Sequence, residues 1–211
     1  MKKTLYILLL IFGLANFAFS QEEINCGMYS TLSVAYTHDF LLNKSLKDLG
    51  TQTIPAVSIS DVIGLAINYK HLAFTLDYGV GFMAKKKIVS ASFLTNALLG
   101  YQLSLPKEQS LIFAGNISYE LYGVRAFITK GDIDLKNNTL SSTTYFALLL
   151  HQLRIGPKIT YHNKDIDISI GYDFGCIPLR WQSSENVNVT NSPKERTDKV
   201  YISLTTYFKK F

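Results

Sequence analysis

Residues 72–83 read LAFTLDYGVGFM, and their side chains alternate between two kinds. Bulky apolar residues occupy every even position from Leu72 to Phe82, and the odd positions between them are mostly small or polar. Because successive side chains of a β-strand point to opposite faces, this period of two predicts a strand with one apolar face. The same alternation recurs at 166–175 and at 200–208.

The whole chain predicts eight such strands. Short connections of two to five residues alternate with long polar ones, apart from a tight lysine turn at 85–87. Short turns on one side, long loops on the other and an even strand count are typical of a transmembrane β-barrel. The approximate bounds of the predicted strands are 27–38, 55–69, 72–84, 88–104, 110–129, 142–161, 166–181 and 198–210.

A soluble β-sandwich or a lipocalin-like barrel would also alternate, and the size of the apolar side chains decides between these folds. A soluble barrel must fit its apolar side chains inside, whereas here the apolar face is bulky on every strand. The opposite face carries glycines and charged residues, which suit a narrow polar interior. The predicted fold is therefore all-β, an eight-stranded antiparallel up-and-down transmembrane β-barrel.

Composition also favours a membrane barrel over a soluble domain. Charged residues make up 18% of the chain, whereas about 25% is typical of soluble domains. After the N-terminal segment no apolar run reaches the length of about 18 residues that a membrane-spanning helix needs. The net charge of +5 includes two lysines of that segment, and it is too small to predict nucleic-acid binding.

The N-terminal segment predicts a cleaved signal peptide. Two lysines precede an almost continuous apolar run at 5–19, and small residues precede the predicted cleavage between Ser20 and Gln21. The chain therefore divides into a signal peptide, residues 1–20, and a barrel domain, residues 21–211.

Charged residues fall on the inward parity of several strands. They are Asp77, Glu120, Arg154, Lys158, Asp167 and Asp173. A hairpin turn at 162–165 places Arg154 opposite Asp173 and Thr160 opposite Asp167, within cross-strand contact. Because eight strands leave just enough room inside for side chains, we predict a lumen charge network rather than a proton or ion path.

Aromatic residues on the lipid-facing parity predict two girdles, one at each edge of an apolar band. The predicted girdle residues are Tyr69, Tyr101, Tyr161 and Phe208 toward the short turns, and Tyr36, Tyr78, Tyr119 and Tyr172 toward the long loops.

With these features the chain resembles the small eight-stranded outer-membrane barrels of the OmpA/OmpX type, a generic outer-membrane β-barrel domain family of Gram-negative bacteria. The resemblance covers the whole predicted mature chain and rests on the signal peptide, the strand count, the loop asymmetry and the terminal Phe211. It implies an outer-membrane location with both termini in the periplasm. It also implies contact with lipopolysaccharide and insertion by the barrel assembly machinery, for which Phe211 is the C-terminal signal.

No residue pattern predicts catalysis. Lipid A deacylases of this shape place a His two residues before a Ser, and none of the four histidines has that neighbour. His71 and His162 are predicted in turns away from the long loops, and His38 is predicted at the outer rim. No metal-ligand spacing appears, and the two cysteines are predicted at different heights, too far apart for a disulfide. We expect no enzymatic activity and no cofactor.

The parts of strands five to seven nearest the long loops turn apolar on the inward parity. This pattern predicts either a small core under the outer loops or a groove for an apolar ligand or partner. A β-bulge near 151–152 is an alternative for the sixth strand. Loop one could cover this region with a short helix through Leu46 and Leu49, capped by Asn43 or Ser45. The residues concerned are Tyr122, Val124, Ala126, Ile128, Phe146, Leu148, Leu150, Ile177, Leu179 and Trp181.

Two arginines are predicted at lipid-facing positions beyond the aromatic girdle nearest the long loops. They are Arg125 and Arg180. A guanidinium group can donate two hydrogen bonds to one phosphate, so these are candidate contacts for lipopolysaccharide. Loop acids such as Asp132 and Glu185 are the alternative partners.

The sequence therefore predicts a non-enzymatic outer-membrane barrel with a structural, adhesive or interaction role through its extracellular loops, where a protein partner would bind. The second hypothesis is an accessory subunit of an outer-membrane secretion or assembly machine of the PorT type. The third is a lipid-modifying outer-membrane enzyme.

Overall fold

The computed structural model describes residues 24–48, 53–85, 88–107, 109–125, 131–134, 139–140, 147–183 and 187–210. The predicted cleavage site at Ser20 and Gln21 and the predicted assembly signal at Phe211 lie outside these residues.

Eight long strands pair antiparallel, each with the next along the chain, and the last pairs with the first. The sheet is therefore closed, which confirms the predicted eight-stranded up-and-down barrel. The strands are β1 (Ile24–Thr37), β2 (Val57–Tyr69), β3 (Leu72–Lys85), β4 (Ile88–Leu105), β5 (Gln109–Arg125), β6 (Ala147–Asn163), β7 (Ile166–Gly175) and β8 (Lys199–Lys210).

The two ends of the barrel differ. The turn end carries three tight hairpins together with the start of β1 and the end of β8. The loop end carries the three long connections and also the short connection at 86–87 between β3 and β4. Among the described residues, no helix is long and apolar enough to cross a membrane. The described parts of the loops contain the helix α1 (Leu42–Asp48) and short strands at Gly131–Asp134, Thr139–Leu140, Leu179–Arg180, Gln182–Ser183, Val187–Thr190 and Lys194–Glu195.

The outer surface of the barrel is a belt of large apolar side chains. A soluble monomer rarely exposes a contiguous apolar patch of more than a few hundred Å², so a belt around all eight strands identifies this surface as lipid-facing. Exposed members include Leu32, Leu65, Phe74, Leu76, Phe82, Phe93, Leu99, Ile117, Ile155, Ile168 and Ile202.

The predicted girdle residues lie on this surface. Tyr69 and Tyr161 are half-buried, and the other six are exposed, namely Tyr36, Tyr78, Tyr101, Tyr119, Tyr172 and Phe208. Their arrangement as two girdles stays a prediction.

The predicted register of the β6–β7 hairpin was wrong by two residues. Lys164 adopts a left-handed conformation with φ 56°, so the turn needs only two residues and the ladder continues to the pair Asn163–Ile166. Arg154 therefore lies opposite Gly175, and Thr160 opposite Ser169. A shift of two residues keeps every side chain on its predicted face of the sheet.

The predicted end of the seventh strand at 181 was also wrong. β7 ends at Gly175, whose N–H donates to the Asp198 carboxylate at 3.0 Å instead of continuing the ladder with β8. Ile177, predicted inside, is 49% exposed, whereas Trp181 turns inward and is 2% exposed.

The β5–β6 ladder has no bulge near 151–152. Its register is continuous from the pair Gln109–Asn163 to the pair Arg125–Ala147. A register shift occurs instead in β1, between Met28 and Tyr29, in its pairing with β8.

Candidate functional site: a closed loop end and an open turn end

A buried ionic cluster crosses the lumen below the loop end. Glu120 on β5 accepts hydrogen bonds through Oε2 from Arg154 Nη1 at 2.8 Å and from Lys199 Nζ at 3.2 Å. Its Oε1 accepts from Ser92 Oγ at 2.7 Å. The side chains of this carboxylate and its two cations are at most 8% exposed. Sequence analysis missed Lys199, although its inward parity at the start of β8 was a signal.

Arg154 uses its remaining donors on the loop side of the cluster. Nε donates to the Thr197 carbonyl at 2.9 Å, and Nη2 donates to Thr197 Oγ1 at 2.8 Å and to Tyr122 Oη at 3.0 Å. One guanidinium group therefore joins β5, β6 and the segment that leads into β8. These hydrogen-bonded side chains lie across the lumen at this level.

The other predicted lumen charges lie nearer the turn end. Asp77 accepts from Asn96 Nδ2 at 2.6 Å and from Tyr29 Oη at 3.0 Å. Asp173 accepts from Asn116 and Ser118, all at 3.1 Å. Each buried carboxylate is thus met by neutral donors.

The remaining two predicted lumen charges, Asp167 and Lys158, lie near the turn end. Asp167 accepts from Tyr207 Oη at 2.8 Å and pairs with His162 Nδ1 at 2.5 Å. His162 is therefore an inward strand residue and not a turn residue as predicted, because the hairpin is shorter. Lys158 forms no ion pair with another described residue.

An apolar cap closes the loop end above the ionic cluster. Side chains from loop one, from β3, β5 and β6 and from the last loop pack there in one buried cluster. The Phe40 ring meets Tyr122 and Trp181 edge-on, with centroids 5.7 and 5.8 Å apart. The members are Phe40, Leu42, Leu46, Ile54, Met83, Tyr122, Val124, Leu148, Leu150 and Trp181.

Glu195 fastens α1 into this cap. Its carboxylate accepts from the backbone N–H groups of Leu41 at 3.0 Å and Leu42 at 2.7 Å, and from Trp181 Nε1 at 3.1 Å. Glu195 is 1% exposed, and its own carbonyl accepts from Gln152 Nε2 at 3.2 Å. A residue of the last loop therefore supplies the cap of a helix in the first.

The prediction that Asn43 or Ser45 caps the helix was wrong. α1 begins at Leu42, and Asn43 is buried within it, where its side chain bonds the N–H of Ile54 at 2.7 Å and the carbonyl of Ile54 at 3.1 Å. The predicted helix residue Leu49 lies outside the described residues, as do Ala126, Ile128 and Phe146. Of the two alternatives for the apolar region, the described residues form a core.

The turn end is open. A polar cavity of about 320 Å³ enters the lumen there, lined by inward-facing side chains that include Asn25, Asn68, Gln102, His162 and Tyr207. A smaller cavity of about 30 Å³, lined in part by Lys158, lies next to it. We call the larger cavity the vestibule. The lining of neither cavity includes a residue of the ionic cluster.

The two candidate lipopolysaccharide contacts do not come together. Arg180 is exposed on a short strand of the last loop, opposite Lys194. Arg125 is the last residue of β5, opposite Ala147, and its side chain lies outside the described part of the chain.

Within the described residues there is no group of three or more His, Cys, Asp or Glu side chains that could hold a metal ion. Cys26 and Cys176 are both free.

These features define the chain as a small transmembrane β-barrel of the outer-membrane type. No family model matches the sequence, and no curated protein matches it.

Among solved structures, the chain is similar to Neisserial surface protein A, with 12% identity, a TM-score of 0.49 and coverage of 89% of this chain and 100% of that one. It is similar to Ail, the attachment invasion locus protein of Yersinia pestis, with 7% identity, a TM-score of 0.46 and coverage of 90% and 99%. The outer membrane protease OmpT from Escherichia coli matches at 9% identity and a TM-score of 0.31, with coverage of 88% and 96%. At these values the likeness says nothing about what the chain binds or does.

Proposed function

We propose that this chain is a non-enzymatic outer-membrane barrel that acts through its extracellular loops, with a structural, adhesive or interaction role. In this orientation the loop end faces the outside and both termini face the periplasm.

The observation that carries the proposal is the fixed cap at the loop end. Conduction needs a continuous opening, whereas here the ionic cluster and the apolar cap both cross the lumen. A loop end that is held by buried contacts offers a partner a surface that is already ordered, which lowers the entropic cost of binding. Lys44 and Lys47 are exposed on α1 and belong to this surface.

The test is photo-crosslinking in intact cells that make the full-length protein. A photoreactive residue replaces Lys44 or Lys47 at the loop end, or Lys107 or Lys164 at the turn end; all four lysines are exposed. Reproducible cross-links from the loop-end positions alone are the expected result. Cross-links from the turn-end positions alone would contradict the proposal.

The open vestibule favours a second candidate function, an accessory subunit of an outer-membrane secretion or assembly machine. A polar pocket that faces the periplasm is accessible to a segment of a periplasmic partner, and its amide, imidazole and phenol groups can bond a peptide backbone. Cross-links from Lys107 or Lys164 to one defined protein would support this function.

We further propose that residues 1–20 direct export and that the mature chain begins at Gln21. Phe211 then serves the barrel assembly machinery as the terminal signal. N-terminal sequencing of the purified protein tests the cleavage site. Deletion of Phe211, which should lower the amount of folded protein in the outer membrane, tests the assembly signal.

Lipopolysaccharide is the proposed lipid partner, with Arg125 and Arg180 as its contacts. The exposed position of Arg180 at the loop end supports this assignment, because the phosphates of the outer leaflet lie at that level. Replacement of both arginines by Ser should reduce the lipopolysaccharide that co-purifies with the folded barrel.

A lipid-modifying enzyme is the remaining hypothesis, and we propose that the chain lacks this activity. Mass analysis of lipid A from cells with and without the gene tests the point. A mass difference equal to one acyl chain would overturn it.

A further inference from the structure

An apolar groove of about 240 Å³ runs across the outer face of the barrel, where β2, β1, β8 and β7 lie side by side. It lies toward the loop end, because Tyr36, Val57 and Val200 are each within two residues of the loop-end limit of their strand. Its outward-facing side chains are Val34, Tyr36, Val57, Ile170, Val200 and Ile202.

Three exposed basic side chains lie in the last loop, which connects two of the strands that form the groove, β7 and β8. Arg180 and Lys194 are direct cross-strand neighbours. Lys194 and Arg196 are exposed on either side of the buried Glu195, so they share one face of the chain. Like charges directly opposite each other destabilise a ladder, and within the described part of the protein none of the three has a hydrogen-bond or ion-pair partner. We call these three residues the basic face.

The groove and the basic face are connected by the residues that lead into β8. Val200 and Arg196 are both exposed, and half-buried Asp198 lies between them in the chain. Asp198 is already occupied, because its carboxylate accepts from the Gly175 N–H at 3.0 Å and from Tyr172 Oη at 3.1 Å. Arg196 lies four residues from Val200 along the chain. The basic face therefore lies at the loop end, in the segment that connects β7 to β8.

We propose that the groove and the basic face together bind one phosphorylated, multiply acylated glycolipid of the loop-end leaflet. One acyl chain lies in the groove, and a phosphate lies on the basic face. The inference rests on the proposed orientation and deepens the proposed lipid contact. It keeps Arg180 and adds Lys194 and Arg196, whereas Arg125 lies three strands away, at the end of β5.

The two parts of the site contribute differently. An acyl chain gains little from leaving one apolar environment for another, so the groove mainly positions the lipid. The phosphate gains charge-assisted hydrogen bonds from side chains that have no other described partner, and a guanidinium group can hold two phosphate oxygens at once. The number of phosphates on the lipid should therefore control affinity.

The test measures binding of three defined lipids to the purified full-length barrel, folded in detergent. The probes are bisphosphorylated hexa-acyl lipid A, the same lipid without its phosphates, and phosphatidylglycerol. The wild-type protein should bind the bisphosphorylated lipid at least tenfold more tightly than either of the others.

Two charge-matched double variants locate the phosphate site. R180S/R196S should weaken binding of the bisphosphorylated lipid at least tenfold and should abolish the preference for phosphate. K44S/K47S removes the same charge from α1 and should leave both properties unchanged. Equal losses in the two variants would overturn the proposal, and R180Q/R196Q serves if the Ser variant fails to fold.

A second pair of variants locates the acyl chain. Val200→Trp fills the groove and should weaken binding about fivefold while the preference for phosphate stays. Leu99→Trp, in the belt on β4 and outside the groove, should change neither property. Unchanged binding by Val200→Trp would remove the groove from the site.

The remaining outcomes are also decisive. If phosphatidylglycerol binds as tightly as lipid A, the face accepts any anionic lipid and the glycolipid assignment is wrong. If lipid A fails to bind while loop-end cross-links to a partner persist, the lipid inference is contradicted and the proposed function is not. Absence of both would also remove the proposed function. Heat-dependent migration on a gel verifies folding of every variant.

Discussion

Arg154 is completely buried, and its guanidinium donors are used by a carboxylate, a phenol, a hydroxyl and a carbonyl. Replacing one member of a buried ion pair leaves the other charged and desolvated. Arg154→Met should therefore lower the free energy of unfolding by about 3–5 kcal/mol, because Glu120 keeps only Lys199 as a cationic partner. Urea titration of the barrel in detergent micelles measures this loss.

A double-mutant cycle separates the ion pair from general packing. The variant with both Glu120→Leu and Arg154→Met should lose less than the sum of the two single changes, because no buried charge is left to pair between these positions. A strictly additive result would mean that the contact carries no coupling.

Two strand glycines provide a second test at the level of single residues. A Cβ on Gly171 would collide with the Tyr201 ring inside the lumen, whereas a Cβ on Gly115 would meet nothing within 4 Å. Gly171→Ala should therefore cost about 1–3 kcal/mol of unfolding free energy through overpacking. Gly115→Ala, measured in the same urea titration, should not destabilise the barrel. Equal effects of the two substitutions on the free energy of unfolding would show that backbone entropy determines the cost, and that the limited space beneath the Tyr201 ring does not.

At the scale of one element, α1 depends on a residue far away in sequence. Seven residues are too few for a stable isolated helix, so α1 needs its tertiary contacts. The Glu195 carboxylate now accepts hydrogen bonds from two backbone N–H groups and one indole N–H. In Glu195→Gln an amide NH₂ group, which cannot accept them, replaces one of its oxygens, so the substitution should destabilise the helix. Amide hydrogen exchange across Leu42–Asp48 should speed up at least tenfold.

The control for α1 is the exposed neighbour Lys194. Lys194→Gln should leave exchange in Leu42–Asp48 unchanged, because its side chain has no described partner. If Glu195→Gln also leaves the exchange unchanged, the packing of Leu42 and Leu46 alone holds the helix in the cap.

At the scale of the whole molecule, two layers of packed side chains lie across the lumen on the loop-end side of the vestibule. They are the ionic cluster and the apolar cap. The purified protein should therefore show no steady porin-like current in planar bilayers. A large and reproducible conductance would contradict this, and it would mean that the cap opens in the membrane or that a larger barrel forms.

The sequence by itself determined which face of each strand meets lipid. The alternation of bulky and small residues, as in 72–83, is local, and a shift of two residues in register leaves it intact. For this reason the strand count, the inward position of Glu120 and Arg154 and the apolar change near the loops could all be predicted from parity.

Only the tertiary structure decided which inward residues meet. Glu195 contacts Leu42 across 153 positions of the chain, and Lys199 contacts Glu120 across 79. No local pattern encodes such pairs, because they depend on barrel closure and on the path of the last loop after β7 leaves the sheet. The same physical reason explains why the sequence left a core and a groove as alternatives at the loop end, where the folded chain makes a core.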